Sequence, residues 1–483
     1  MTATAILAID QGTSGTKAIV LDPAGTVLAI AEEHVRPTYL PGGGVEQNPK
    51  ELLASVLTAG RRAVAAADRP VGAVALANQG ETVLAWDRAT GHPLSQAIVW
   101  QDRRAETVTA ELASASDWVA QRTGLVLDPY FSAPKMAWLR RHVSTDGVVT
   151  TTDSWLIHHL CGEFVTDAAT ASRSLLTDLG SGDWDPELLA LFGWSEEPLP
   201  RIVACDEIVG TTTAFGAPMA VAGLVVDQQA ALLAEGCLEP GTAKCTFGTG
   251  AFLLANTGTT PVRSTSGLTS SVAWRARGQL AHCLDGQVYT AASAVRWLKD
   301  LGLISEPTDL DRLAAEDSNG TLCVPALAGL AAPWWRSDAT ASLTGMTLAT
   351  RPEHIILAVL QGIAAQVAEL TDLITADFGQ PLTRLRVDGG LTLSRTMMQC
   401  TADVAQLPID VFPSAHATAL GAAALARLAL NPTLDIADAV PLWAPSHSYE
   451  PRWSPERAAD FRSRWSAAVT ASVPTSAPQE RRP

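Results

Sequence analysis

Two short apolar runs near the start of the chain, Ala5–Ile9 and Ala18–Leu21, flank a polar, glycine-rich stretch, Gln11–Thr16. That pattern predicts a β-hairpin, with Asp10 at the end of its first strand and Lys17 at the start of its second. Thr26–His34 reads as a third strand. Pro41–Pro49 is a Gly/Pro-rich loop that feeds a helix over Lys50–Ala67. Val71–Ala77 is an apolar strand closed by the polar segment Asn78-Gln79-Gly80-Glu81-Thr82, and Val83–Asp87 resumes as a strand. Helical spacing fills Ala105–Thr123 and Ala133–His142. Met219–Val226 is a near-continuous apolar strand that stops at Asp227, and Gln228–Glu235 reads as a helix starting directly after that carboxylate.

A domain boundary is expected near Gly236–Gly241, where Gly and Pro precede a new strand. Beyond it the opening design recurs: Ala243–Phe247, then Gly248-Thr249-Gly250, then Ala251–Ala255, again strand, Gly/Thr turn, strand. Two such hairpins opening successive domains read as an internal repeat. Helices follow around Ala291–Leu301, over Pro352–Phe378, Arg395–Val404 and Ala417–Leu428, and a strand at Leu385–Val387 ends in Asp388-Gly389-Gly390. The chain thus divides into residues 1–238, residues 239–473 and a tail, 474–483, expected to be disordered.

Length and composition narrow the function. At 483 residues the chain exceeds one core. No segment is expected to reach membrane-spanning length, and no export signal is apparent. Seven scattered cysteines, never in CxxC spacing, read as reduced thiols of a cytoplasmic protein. A net charge of −16 argues against nucleic acid as a partner but not against a nucleotide, which needs only a local pocket of backbone donors.

The chemistry gathers at Asp10, Asp227 and Asp388, each beside a polar or Gly-rich turn. Transfer of a phosphoryl group to a hydroxyl needs a base, a metal site for the triphosphate and donors for the group in flight. Asp227 is the candidate base and Asp10 the candidate Mg²⁺ ligand. Backbone N–H groups around Gly12–Ser14 and Gly248–Gly250, with the Thr13 and Thr249 hydroxyls, form candidate phosphate cradles. No GxxxxGK[ST] or protein-kinase signature is present.

Several stretches together resemble the FGGY family of carbohydrate kinases, and within it the glycerol kinases. They include IDQGTSGTKAIVLD (9–22), NQGETVLAWDRATGHPLSQAIVWQDRR (78–104), TDAATASRSLL (166–176), VVDQQAAL (225–232), GTAKCTFGTGAFLLANTG (241–258) and RVDGGLTLSRTMMQ (386–399). The resemblance implies an α/β fold of two ribonuclease-H-like domains, of the actin and hexokinase type, with the active site in the cleft between them. It further implies ATP and Mg²⁺, a terminal hydroxyl of a small polyol or sugar as acceptor, and a homodimer or homotetramer as the assembly. Residue by residue, it assigns Asp227 as base and, with Asp10, as metal site. Gly80, Glu81, Trp100, Tyr130, Gln228 and Phe252 would line the substrate. Gln11, Gly12, Thr13, Ser14, Lys17, Gly248, Thr249, Gly250, Ala292, Arg296, Gly389, Gly390 and Ser394 would surround the nucleotide.

The chain departs from the glycerol kinase pattern at Gly80, where that pattern has an Arg that donates to substrate hydroxyls. Ala292, Arg296 and Ser394 stand where Gly, Gln and Asn are usual. Glycerol is the nearest substrate by overall similarity, with a four- or five-carbon polyol or ketose as the alternative that Gly80 leaves room for. A non-catalytic, ATP-binding sugar sensor of the actin-like fold is the alternative from another class, disfavoured because Asp10 and Asp227 are both present.

Overall fold

A computed structural model describes residues 4–473; the tail expected to be disordered lies outside them. The first half is built on a six-stranded sheet in the order Ile208–Thr212, Met219–Val226, Val71–Asn78, Ala5–Gly12, Gly15–Leu21, Val27–His34. The opening hairpin forms, and its ladder runs further than the sequence suggests. Asp10 pairs with Lys17, Gln11 with Thr16 and Gly12 with Gly15, so Thr13-Ser14 alone make the turn. Asp10 therefore sits inside the strand rather than at its end. Gly15 is required here, because a Cβ on it would stand 2.5 Å from the Glu33 carbonyl of the third strand.

Strand alternation decides which way Asp10 faces. Leu7 and Ile9 pack on one side with the helix Pro49–Ala66, while Ile6 and Ala8 pack on the other with Ala230, Leu233 and the helix Ala417–Leu430. Asp10 continues the second set, on the side of the helix Asp227–Ala234. That helix begins at Asp227 itself, one residue before the expected start. The expected helix over Ala105–Thr123 is two pieces, Glu106–Glu111 and Ser116–Thr123, separated by a 3-10 turn.

The second half is built on a seven-stranded sheet in the order Thr269–Ala276, Gln279–Val288, Ala251–Gly258, Ala243–Phe247, Leu385–Asp388, Ile409–Val411, His447–Tyr449. Its plan repeats the first. A hairpin is extended by a third antiparallel strand on one side, and parallel strands continue the sheet on the other. The Ala-rich helix Ala417–Leu430 lies in sequence between two strands of the second sheet, Ile409–Val411 and His447–Tyr449, yet covers the strands Ala5–Gly12, Val71–Asn78 and Met219–Val226 of the first.

One expectation is corrected. Helix Pro352–Phe378, 27 residues long, is long and apolar enough by length and composition to cross a bilayer. It is a core helix here: 83% of its most apolar window is buried, against Arg395–Ala405 and the second sheet.

Candidate active site

Between the two sheets lies a cleft with a cavity of about 420 Å³, in the range of small-molecule sites. It is lined from the first half by Asp10, Gly12, Thr13, Ser14, Lys17, Gly80, Glu81, Trp100, Tyr130, Asp227 and Gln228, and from the second by Gly248, Thr249 and Phe252. Two separate turns of the first sheet and one of the second thus face a common space.

The Thr13-Ser14 turn is anchored from behind. Thr13 Oγ1 donates to Gln79 Oε1 (3.1 Å) and accepts from Trp100 Nε1 (2.9 Å), while Gln47 Nε2 donates to the Thr13 carbonyl (2.6 Å). The Thr13 hydroxyl, expected to face a phosphate, is already committed to Gln79. Gln11 is fully buried, its amide turned to the Gly12 carbonyl (2.8 Å) and to Gln79, so it shapes the turn from beneath. Lys17 forms an ion pair with Glu32 on the neighbouring strand (3.2 Å). On the opposite wall, the Gly248–Gly250 loop is stitched to the start of helix Ala292–Asp300. Ala292 N–H donates to the Gly248 carbonyl (3.0 Å) and Ser293 N–H to the Thr249 carbonyl (3.1 Å).

Trp100, Tyr130 and Phe252 meet edge to face, with centroids 5.5 and 5.9 Å apart from Trp100. They form an apolar wall shared by both halves. Lys135, fully buried, holds the Tyr130 segment by donating to the carbonyls of Pro129 (2.8 Å), Tyr130 and Phe131 (2.7 Å).

The carboxylates are electrostatically distinct. Burial, together with the Asp227 and Asp388 charges, pushes the Asp10 pKa up to about 7, against the pull of Lys17. Burial and the Glu81 charge push Asp227 up to about 6, opposed by the Gln228 N–H and by Lys244. No described residue donates a hydrogen bond to the Asp10 carboxylate, and Asp227 accepts only from its neighbour's N–H (2.7 Å). Two buried carboxylates with open oxygens, the charge of Asp227 raising the pKa of Asp10, fit a hard divalent cation, which would relieve that repulsion. Among the described residues no cluster of three His, Cys, Asp or Glu side chains surrounds a metal position. Such an ion would therefore complete its shell with water and phosphate oxygens.

The remaining expected nucleotide residues do not line this cavity. Gly389 has φ 96°, and a Cβ there would lie 2.5 Å from the Phe247 carbonyl, so glycine is needed to let its strand end pass the Gly248 loop. Gly390 opens on free space. Arg296 is exposed on its helix. Ser394 caps helix Arg395–Ala405, its hydroxyl accepting from Met397 N–H and donating to Asp311 (2.8 Å).

Two site residues escaped the sequence reading. Arg173, buried, forms ion pairs with Glu81 and with Asp285 (3.1 Å) of the second sheet. Lys244, buried on the second hairpin, donates to Gln228 Oε1 (2.6 Å) and Thr246 Oγ1 (2.7 Å). Arg173 lies within TDAATASRSLL and Lys244 within GTAKCTFGTG, but local pattern does not distinguish a buried cation from a surface one.

Comparison with known proteins identifies the family. The model of the FGGY family of carbohydrate kinases, N-terminal domain, matches residues 5–234, and that of its C-terminal domain matches residues 243–430. A glycerol kinase of Alkalilimnicola ehrlichii is 44% identical over 448 residues, covering 88% of this chain and 90% of its own. One of Aromatoleum aromaticum is 40% identical, covering 96% and 98%. The crystal structure of Plasmodium falciparum glycerol kinase with ADP superposes with a TM-score of 0.90 at 31% identity, over 98% of this chain and 99% of that one. With both domain types matched in order and relatives this similar over nearly the full length, the chain belongs to the FGGY family of carbohydrate kinases and is an ATP-dependent kinase.

Proposed function

We propose that this kinase transfers the γ-phosphoryl group of ATP to a terminal hydroxyl of glycerol, within a cytoplasmic metabolism of small polyols. The observation that carries the reading is the position of Asp227. Its carboxylate opens on the cleft between the Glu81–Trp100–Tyr130 wall and the Gly248–Thr249 loop, so a polyol against the first is within reach of a nucleotide against the second. Asp227 takes the proton of the terminal hydroxyl; that oxygen forms the new bond to the γ-phosphorus as the bond to ADP breaks. Gln228, held by Lys244, and Glu81, held by Arg173, orient the remaining hydroxyls. The backbone of Gly12–Ser14 and of Gly248–Gly250 receives the phosphates, with Lys17 at the edge. Asp10 and Asp227 would hold Mg²⁺, which when bound neutralises triphosphate charge. Seven free cysteines, six of them buried, accord with a reducing compartment.

An ADP-release assay with ATP and Mg²⁺ against glycerol, tetritols, pentitols and three- to five-carbon ketoses tests this. Turnover of glycerol with kcat/KM above that of the longer compounds supports it; turnover of a longer substrate alone replaces glycerol.

Gly80 favours that second reading enough to test. A Cβ at residue 80 would have only Val226 Cγ2 within 4 Å, at 3.0 Å, so the space beside Glu81 is open. Gly80→Arg, for which Val226 need shift only a few tenths of an ångström, fills that space. It is expected to cut pentitol turnover more than about tenfold while glycerol turnover is kept, a loss of the size typical for excluding a substrate by shape. An unchanged ratio would show that substrate does not enter the room beside Gly80.

A further inference from the structure

The substrate end of the cleft is rich in acceptors. Glu81, Asp285 and Asp227 all line it. Carboxylates can accept from the hydroxyls of a polyol but leave each hydroxyl oxygen without a donor. Gly80 has no side chain to donate, and Gln228, its Oε1 held by Lys244, offers a donor only through Nε2. Lys17, at the phosphate turn, is engaged with Glu32.

Arg173 is placed to fill that role. It follows the short helix Ala168–Ser172, and its guanidinium lies over Tyr130 and Phe131, 5.9 and 5.6 Å from their ring centroids. Nε donates to Glu81 Oε1, and Nη1 to Asp285 Oδ2 (3.1 Å) and Ser271 Oγ (3.5 Å). Asp285 is itself held by Thr269 Oγ1 and Gln287 Nε2, both at 2.6 Å. The guanidinium is thus fixed on two edges by residues from both halves of the molecule. Its Nη2 makes no hydrogen bond to any described residue and is not among the sealed, unpartnered atoms, and Arg173 lines the cavity.

We infer that Arg173 is a substrate-binding residue whose free Nη2 donates to a hydroxyl oxygen of a neutral polyol, while the proton of that same hydroxyl is accepted by Glu81. A hydroxyl both donates and accepts, so this donor–acceptor pair selects it. The inference rests on the polyol kinase reading above. Because Arg173 also joins Glu81 to Asp285, it sets the position of the acceptor as well as supplying the donor.

The test uses the full-length enzyme with glycerol and ATP–Mg²⁺. Arg173→Ala is expected to lower kcat/KM for glycerol by roughly 10- to 100-fold, the range for losing a charged hydrogen-bond partner. The Kd for ATP should be unchanged, and added guanidinium ion, below denaturing concentration, should recover part of the loss. Arg173→Lys, which keeps the charge between the two carboxylates but not the fork, should raise KM for glycerol with ATP binding intact. An unchanged KM for glycerol in either variant overturns the assignment, as does a loss in Arg173→Ala that guanidinium does not recover and that ATP binding shares. A wild-type enzyme that phosphorylates no polyol would instead contradict the function proposed above, so the two failures are distinguishable.

Discussion

Asp227→Asn is expected to lower kcat by roughly 10²- to 10⁴-fold, the contribution of a positioned general base. Asn is the same size and can still be approached by Gln228 N–H, but it cannot accept the hydroxyl proton. Affinity for ATP without Mg²⁺, measured by titration, should therefore stay unchanged within about twofold, separating loss of chemistry from loss of nucleotide binding. The wild-type pH profile carries the same residue's signature. Burial and the Glu81 charge push the Asp227 pKa up to about 6, and the base works only when ionised. The kcat/KM for glycerol, which reports the free enzyme, should fall as the pH drops through about 6, and the residual rate of the Asn variant should lack that inflection. A variant with undiminished turnover would remove Asp227 from the reaction.

The second large effect is one of stability, at a position outside the cavity lining. Gly421 sits within helix Ala417–Leu430, where helix propensity alone would make Gly→Ala stabilising by about 0.5–1 kcal/mol. The packing reverses that sign. A Cβ at residue 421 would lie 1.9 Å from the carbonyl oxygen of Ala230, on the helix that begins with Asp227. Backbone cannot swing aside as a side-chain tip can, so the two helices must part. Gly421→Val is expected to cost about 3 kcal/mol, the upper part of the range for overpacking, read as a lowered urea midpoint. Because the displaced helix carries the base, kcat should fall as well. A stability within about 0.5 kcal/mol of wild type, as for an ordinary surface substitution, would mean the helices are not in this contact.

Much of this was legible in the chain. The opening hairpin, the run into Asp227 and the second Gly/Thr hairpin all show as apolar segments broken by polar turns, and the repeat predicted from them appears as two sheets of like plan. What stayed hidden depends on long-range placement. The extension of the hairpin ladder past Asp10 requires the third strand against Gly15. The return of Ala417–Leu430 to the first sheet leaves no local mark beyond small side chains. Helix Pro352–Phe378 is apolar on every side because neighbours cover it, and sequence alone does not separate that from a lipid-facing helix. Arg173 is the sharpest case. Its partners are 92 and 112 residues away in sequence, and only the fold brings Glu81 and Asp285 to its two edges.

The most direct test is to mix wild-type enzyme with ATP labelled in the γ-phosphate, Mg²⁺ and glycerol, and to follow the label through a single turnover. The account predicts that it appears on a terminal hydroxyl of glycerol, with inorganic phosphate at background. Label released only as inorganic phosphate, or retained in ATP throughout, would contradict phosphoryl transfer to glycerol.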